Sequence, residues 1–93
     1  MSVKVLIPTP LRPFTDQQPV VHVDGQNVGE LLRQLTTTHA ELRPHLFGAN
    51  GELRSFVNIY VNDDDIRYLE KEATALKSGD VVSIVPSVIF LGA

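Results

Sequence analysis

Ninety-three residues, 43% apolar and 20% charged, suit one soluble domain near the size at which a single core sustains itself. A formal net charge of −3, scattered basic residues and the lack of Trp argue against the dense positive face that nucleic-acid binding requires. With no cysteine there is no disulfide framework, thiolate nucleophile or Cys-based zinc site. Met1 leads straight into a strand pattern, with neither the flanks of a signal peptide nor a membrane span, so a cytoplasmic protein is expected.

Val3-Lys4-Val5-Leu6-Ile7-Pro8 places Val3, Val5 and Ile7 on one face and predicts a strand that Pro8 stops. Thr9 to Pro19, with its three prolines, reads as a loop. Val20-Val21-His22-Val23 is a second strand, closed by the turn signal Asp24-Gly25 and near enough to pair with the first as an antiparallel hairpin. A helix follows. Asn27 can cap it and Glu30 stands three residues on, while Val28, Leu31, Leu32 and Leu35 fall at i, i+3, i+4 and i+7 in one apolar stripe. The run Thr36-Thr37-Thr38 lowers helix propensity, so the end is expected near His39. Glu41 to Phe47 reads as a short helix or turn, and Gly48 to Gly51 as a loop. Phe56 to Asn62 is the strongest strand, with Val57, Ile59 and Val61 on one face. Asp63-Asp64-Asp65 then predicts a turn, Ile66-Arg67-Tyr68 a short strand, and Leu69 to Leu76 an irregular segment or one helical turn. A turn at Lys77 to Asp80 introduces the last strand, Val81 to Pro86, with Val82 and Ile84 toward the helix.

A hairpin before one helix and the remaining strands after it predict an α+β, two-layer domain of β-grasp (ubiquitin-like) type. Its mixed sheet has four to five strands, with the first and last side by side in the centre and one main helix on one face. The domain spans residues 1–86, and residues 87–93 form a C-terminal tail.

No constellation in the chain carries catalysis. His39 and His45 lie six apart, which fits neither i, i+3 nor i, i+4, and His22 is expected to face outward, so no metal site is predicted. The three aspartates lack the alternating acceptors, central Gly and distal Glu of a calcium loop and read as a solvated turn. No Ser/His/Asp order, carboxylate pair or phosphate-binding Gly loop is present, and no cofactor is expected. If Val57, Ile59, Val61, Val82 and Ile84 face the helix, then Leu6, Phe56, Tyr60, Val81 and Val85 lie on the opposite face. A grouped apolar surface there suits partner docking, or cover by the tail, loops or a second subunit.

Three segments carry a resemblance. Phe56-Val57-Asn58-Ile59-Tyr60-Val61-Asn62-Asp63-Asp64-Asp65-Ile66-Arg67 resembles the central strand and turn of the MoaD/ThiS-type sulfur carriers, nearest to their cysteine-biosynthesis branch. Val3 to Phe14 is similar to the opening of that group, and Ala73 to Pro86, where Gly79-Asp80 introduces the last strand, to its final segment. The resemblance implies a β-grasp carrier that is not itself an enzyme. An E1-like adenylating enzyme activates its C-terminal carboxylate with ATP, sulfur replaces AMP to give a thiocarboxylate, and a sulfur-accepting biosynthetic enzyme takes the sulfide for cofactor or cysteine synthesis. It implies Gly92 and Ala93 as the attachment end, and Leu6, Phe56, Tyr60, Val85, Val88 and Phe90 as docking residues.

The tail departs from the family's Pro-x-Val-Ala-Gly-Gly ending. Aligned on Pro86 and Val88, those glycines fall on Phe90 and Leu91, and the chain runs on to Gly92-Ala93. Trimming by a protease, a wider partner channel, or a non-catalytic interaction module that has lost sulfur transfer are the readings this leaves. In the last, Val88-Ile89-Phe90-Leu91 binds as an apolar strand, and such a segment on a free tail favours a tucked tail or a homo-oligomer.

Overall fold

The computed structural model describes residues 2–86. Its best-specified element is α1, Val28–Thr38, formed where the capping signal and the apolar stripe coincide. Asn27 Oδ1 accepts the Glu30 backbone N–H at 2.8 Å. Glu30 Oε1 reaches back to accept the backbone N–H of Gln26 at 2.8 Å, one residue ahead of the partner that a capping box prescribes. Val28, Leu31, Leu32 and Leu35 are fully buried. The helix stops at His39, after a threonine run in which Thr36 and Thr37 donate their hydroxyls back to the carbonyls of Leu32 and Arg33.

Beneath α1 lies a five-stranded sheet of β1 (Ser2–Leu6), β2 (Val20–Asp24), β3 (Val57–Val61), β4 (Asp64–Asp65) and β5 (Val81–Pro86), in the order β2-β1-β5-β3-β4. β1 and β5 run parallel at the centre, and every other pairing is antiparallel. Period-2 alternation sends Val3, Val5, Val57, Ile59, Val61, Val82 and Ile84 into the core with the helix stripe, as the sequence predicts. This is the β-grasp arrangement.

Two close fits fix the frame. A Cβ on Gly25 would lie 2.8 Å from both Cα and N of Leu31, so the β2-to-α1 turn packs directly on helix backbone and admits only glycine. At the start of β5, buried Asp80 accepts from the Lys77 backbone N–H at 3.0 Å and from Asn62 Nδ2 at 3.3 Å. Asn62 Oδ1 accepts the Val81 N–H at 3.1 Å, and Asn62 itself takes a left-handed φ of 59°. The Gly-Asp signal thus introduces the last strand because its carboxylate ties the turn to the end of β3.

The structure corrects two expectations. Thr9–Thr15 is not a loop but a 3₁₀ helix. Pro10 suits its first turn, where a missing N–H costs nothing, and Leu11 and Thr15 are buried, Thr15 donating its hydroxyl to the Gln18 carbonyl at 3.1 Å. The short strand predicted at Ile66–Tyr68 is instead Asp64–Asp65, within the stretch predicted as a turn, and Ile66–Tyr68 is a 3₁₀ turn capped by Asp65. The reversal is tighter than the aspartate run suggests because left-handed Asn62 completes it earlier. The Glu41–Phe47 segment resolves into a 3₁₀ turn at Ala40–Leu42 and the single-turn α2, Arg43–Leu46, with Leu42 and Leu46 buried.

Candidate functional site

Because α1 and its stripe occupy one face of the sheet, the alternate residues of each strand form the other face. Strand register sets their neighbours: Val20 lies opposite Leu6, Leu6 beside Ser83, Ser83 opposite Tyr60, and Val85 opposite Asn58. Leu6, Val20, Phe56 and Val85 are exposed, Val85 to 43%, while Tyr60 and Val81 are half-buried. Leu6, Val20 and Val85 lie toward the end of the sheet at which β5 finishes. Lys4 and His22, opposite each other, lie toward the other end, beside Val81.

Leu6, Tyr60 and Val85 lie on the side of the sheet away from α1, and Phe56 is exposed in the turn just before β3. Val88, Phe90, Gly92 and Ala93 lie outside the described residues. The sequence reading missed Val20, although the outward assignment of His22 puts Val20, two residues earlier, on the same side. It also missed Arg67, Tyr68 and Leu69, which adjoin this face from the turn after β4.

Two arginines are held around the apolar group. The Arg54 guanidinium sits 5.8 Å from the centroid of the Phe56 ring and donates from Nε to the Pro44 carbonyl at 2.8 Å. Arg67 grips both oxygens of the Asp65 carboxylate, at 2.8 Å from Nη2 to Oδ2 and 3.2 Å from Nε to Oδ1, and donates from Nη2 to Asn58 Oδ1 at 2.6 Å. The hydrogen bonds from Arg67 hold the Asp65 carboxyl below its ordinary value, and the same pairing raises the guanidinium.

Nothing in the described residues assembles a catalytic centre. An open hollow of about 520 Å³ beside β3 is lined by Ser55 among charged side chains such as Glu52, Arg54, Lys71 and Glu72, with no histidine in its wall. His45 stacks on Phe14 with ring centroids 4.3 Å apart. Among the described residues no three His, Cys, Asp or Glu side chains are grouped to hold a metal ion, and no helix is long and apolar enough to cross a membrane.

The described residues thus form a β-grasp domain with apolar side chains exposed on the sheet face away from α1. Comparison with known proteins identifies its kind. The model of the ThiS family matches residues 5–89. The sulfur carrier protein CysO of Mycobacterium tuberculosis is 41% identical over 90 residues, covering 95% of this chain and 97% of that protein. Its crystal structure superposes with a TM-score of 0.84 over 92% of this chain and 99% of the other. The crystal structure of the Amycolatopsis orientalis BexX/CysO complex contains a chain 35% identical to this one, with a TM-score of 0.86 over 92% of this chain and 96% of that one. A putative sulfur carrier protein of Archaeoglobus fulgidus is 32% identical over 95% of this chain and 97% of its own length. The chain belongs to the ThiS family, among the ubiquitin-like sulfur carriers.

Proposed function

We propose that this chain is a CysO-type sulfur carrier working with an E1-like adenylating enzyme. On this reading its terminal carboxylate attacks the α-phosphate of ATP in the partner's site and pyrophosphate leaves. A sulfur nucleophile then displaces AMP to give a thiocarboxylate, and a biosynthetic enzyme of cysteine or cofactor synthesis receives the sulfide. The chain supplies no catalytic group; it docks and delivers. Gly92 and Ala93 form the attachment end, and Leu6, Phe56, Tyr60 and Val85, extended by Val88 and Phe90, form the docking face. The observation that carries this reading is the position of the apolar group: Leu6, Val20 and Val85 lie toward the end of the sheet at which β5 finishes, so a partner seated there is next to the start of the tail. The same reading puts the carrier in the cytoplasm with its partners.

The test is intact-mass analysis after incubation with ATP, the cognate E1-like enzyme and a sulfur donor. Exchange of one carboxylate oxygen for sulfur adds about 16 Da to the terminus. If neither the full chain nor a trimmed form gains that mass, the carrier reading fails. The Phe90-Leu91-Gly92-Ala93 ending, in place of Gly-Gly, favours a second reading as an interaction module. That reading predicts that deleting residues 87–93 abolishes a complex or oligomer while thiocarboxylate never forms.

A further inference from the structure

Arg67 is both fixed and available. Its Nε and Nη2 are committed to Asp65 and Asn58, yet its side chain remains 56% exposed. Among the described residues Nη1 donates to nothing. An arginine recruited from solvent loses rotamer freedom when it docks; this one has lost it already, through partners on β3 and at the end of β4. Its neighbours on the turn are equally unusual, with Tyr68 86% exposed and Leu69 also exposed. A shallow concavity there is lined by Tyr60 of the open face and by Tyr68 and Leu69, together with Arg67 and the carboxylates of Asp63, Asp64 and Asp65. The apolar surface thus continues over the β4 edge instead of ending at the sheet, and arginine and tyrosine are the residue types that dominate interface energetics.

We propose that Arg67 is the specificity-determining contact of the docking face. Its Nη1 donates to an acceptor oxygen on the adenylating partner, while an apolar side chain of that partner settles between Tyr60 and Tyr68. The inference rests on the reading of this face as a docking surface and adds the chemistry of what docks: an apolar surface carrying one acceptor opposite Arg67. Asp65 pairs with the guanidinium, and Asp63 and Asp64 line the same hollow, so Arg67 selects through hydrogen-bond geometry and not through long-range attraction. Its loss acts on dissociation more than on encounter.

Binding kinetics of the full chain on the immobilised cognate E1-like enzyme test this. Arg67→Ala is expected to weaken binding about tenfold, nearly all of it in the dissociation rate, with an unchanged salt dependence of association. Arg67→Lys keeps the charge but loses the fork held by Asp65 and Asn58, and is expected to weaken binding nearly as much. Tyr68→Ala removes a solvent-exposed ring, leaves the melting temperature unchanged, and is expected to weaken binding several-fold. Leu6→Ala reports on the sheet face itself. If Leu6→Ala weakens binding but Arg67→Ala and Tyr68→Ala do not, the inference falls and the docking reading stands. If all of them bind as the unmodified chain does, the docking reading falls too. Full recovery by Arg67→Lys would overturn the geometric role in favour of charge alone.

Discussion

Val82 and Val85 lie three residues apart on β5 and point to opposite faces, so the same substitution at each measures what covers each side. Val82 is fully buried and Val85 is 43% exposed. Replacing either valine with alanine removes about two methyl groups, worth roughly 1.6 kcal/mol of transfer free energy at full burial. At Val82 the vacated space lies inside a close-packed core, and the cavity raises the cost to about 2.5–3 kcal/mol. At Val85 water takes the space and only the covered part of the side chain counts, leaving about 1 kcal/mol. The loss of β propensity applies to both and cancels. At about 4–8 °C per kcal/mol for a domain of this size, Val82→Ala should lower the melting temperature by roughly 10–24 °C and Val85→Ala by roughly 4–8 °C. Thermal unfolding followed by circular dichroism, with urea midpoints as a second measure, decides the matter. Equal losses would mean that something covers Val85 in the isolated protein, and the face could not be a free docking surface.

Three further outcomes follow from local geometry. Asn27→Ala removes the acceptor of the Glu30 N–H and should cost about 1 kcal/mol in urea denaturation, while Asn27→Ser should recover most of it. Gly25→Ala drives a Cβ to 2.8 Å from Leu31 backbone atoms. It should lower stability by about 1–3 kcal/mol, and an unchanged urea midpoint would show that the turn can shift away. The Asp65 carboxyl is held below its ordinary value by Arg67, so its contribution to stability is complete above about pH 4 and is lost as pH falls through the lower, folded value. The stability difference between the unmodified chain and Asp65→Asn should therefore shrink in acid. A difference that stays constant from pH 6 to the acid limit of folding would rule out that pairing.

The legible parts of the fold were those whose chemistry is local. Asn27 with Glu30, and the stripe from Val28 to Leu35, specify the start and the facing of α1 within one short window. The alternation in Val57–Val61 and Val81–Pro86 likewise assigns each side chain to a face, and from it the open face of Leu6, Phe56, Tyr60 and Val85 could be read. What escaped depends on partners far along the chain. The 3₁₀ helix at Thr9–Thr15 contains only two buried side chains, Leu11 and Thr15, too sparse a signal against two internal prolines. β4 has two residues, fewer than any periodicity can register. The hold on Arg67 needs Asn58, nine residues away, which comes within reach only once β4 has folded back on β3. The open face was thus legible where it coincides with strand parity and hidden where it crosses onto a turn.

The side-by-side placement of β1 and β5 has a mechanical consequence. The two strands run in the same direction, paired from Lys4–Val81 to Leu6–Ser83, and the tail continues from the far end of β5. A force directed along β5 strains the hydrogen bonds to β1 and β3 together instead of peeling them one after another. β5 cannot be drawn out from an edge, because it has a neighbour on each side. A force along β5 is therefore met by both neighbouring strands at once, and the strand that carries the chain out of the domain is also the one hardest to extract.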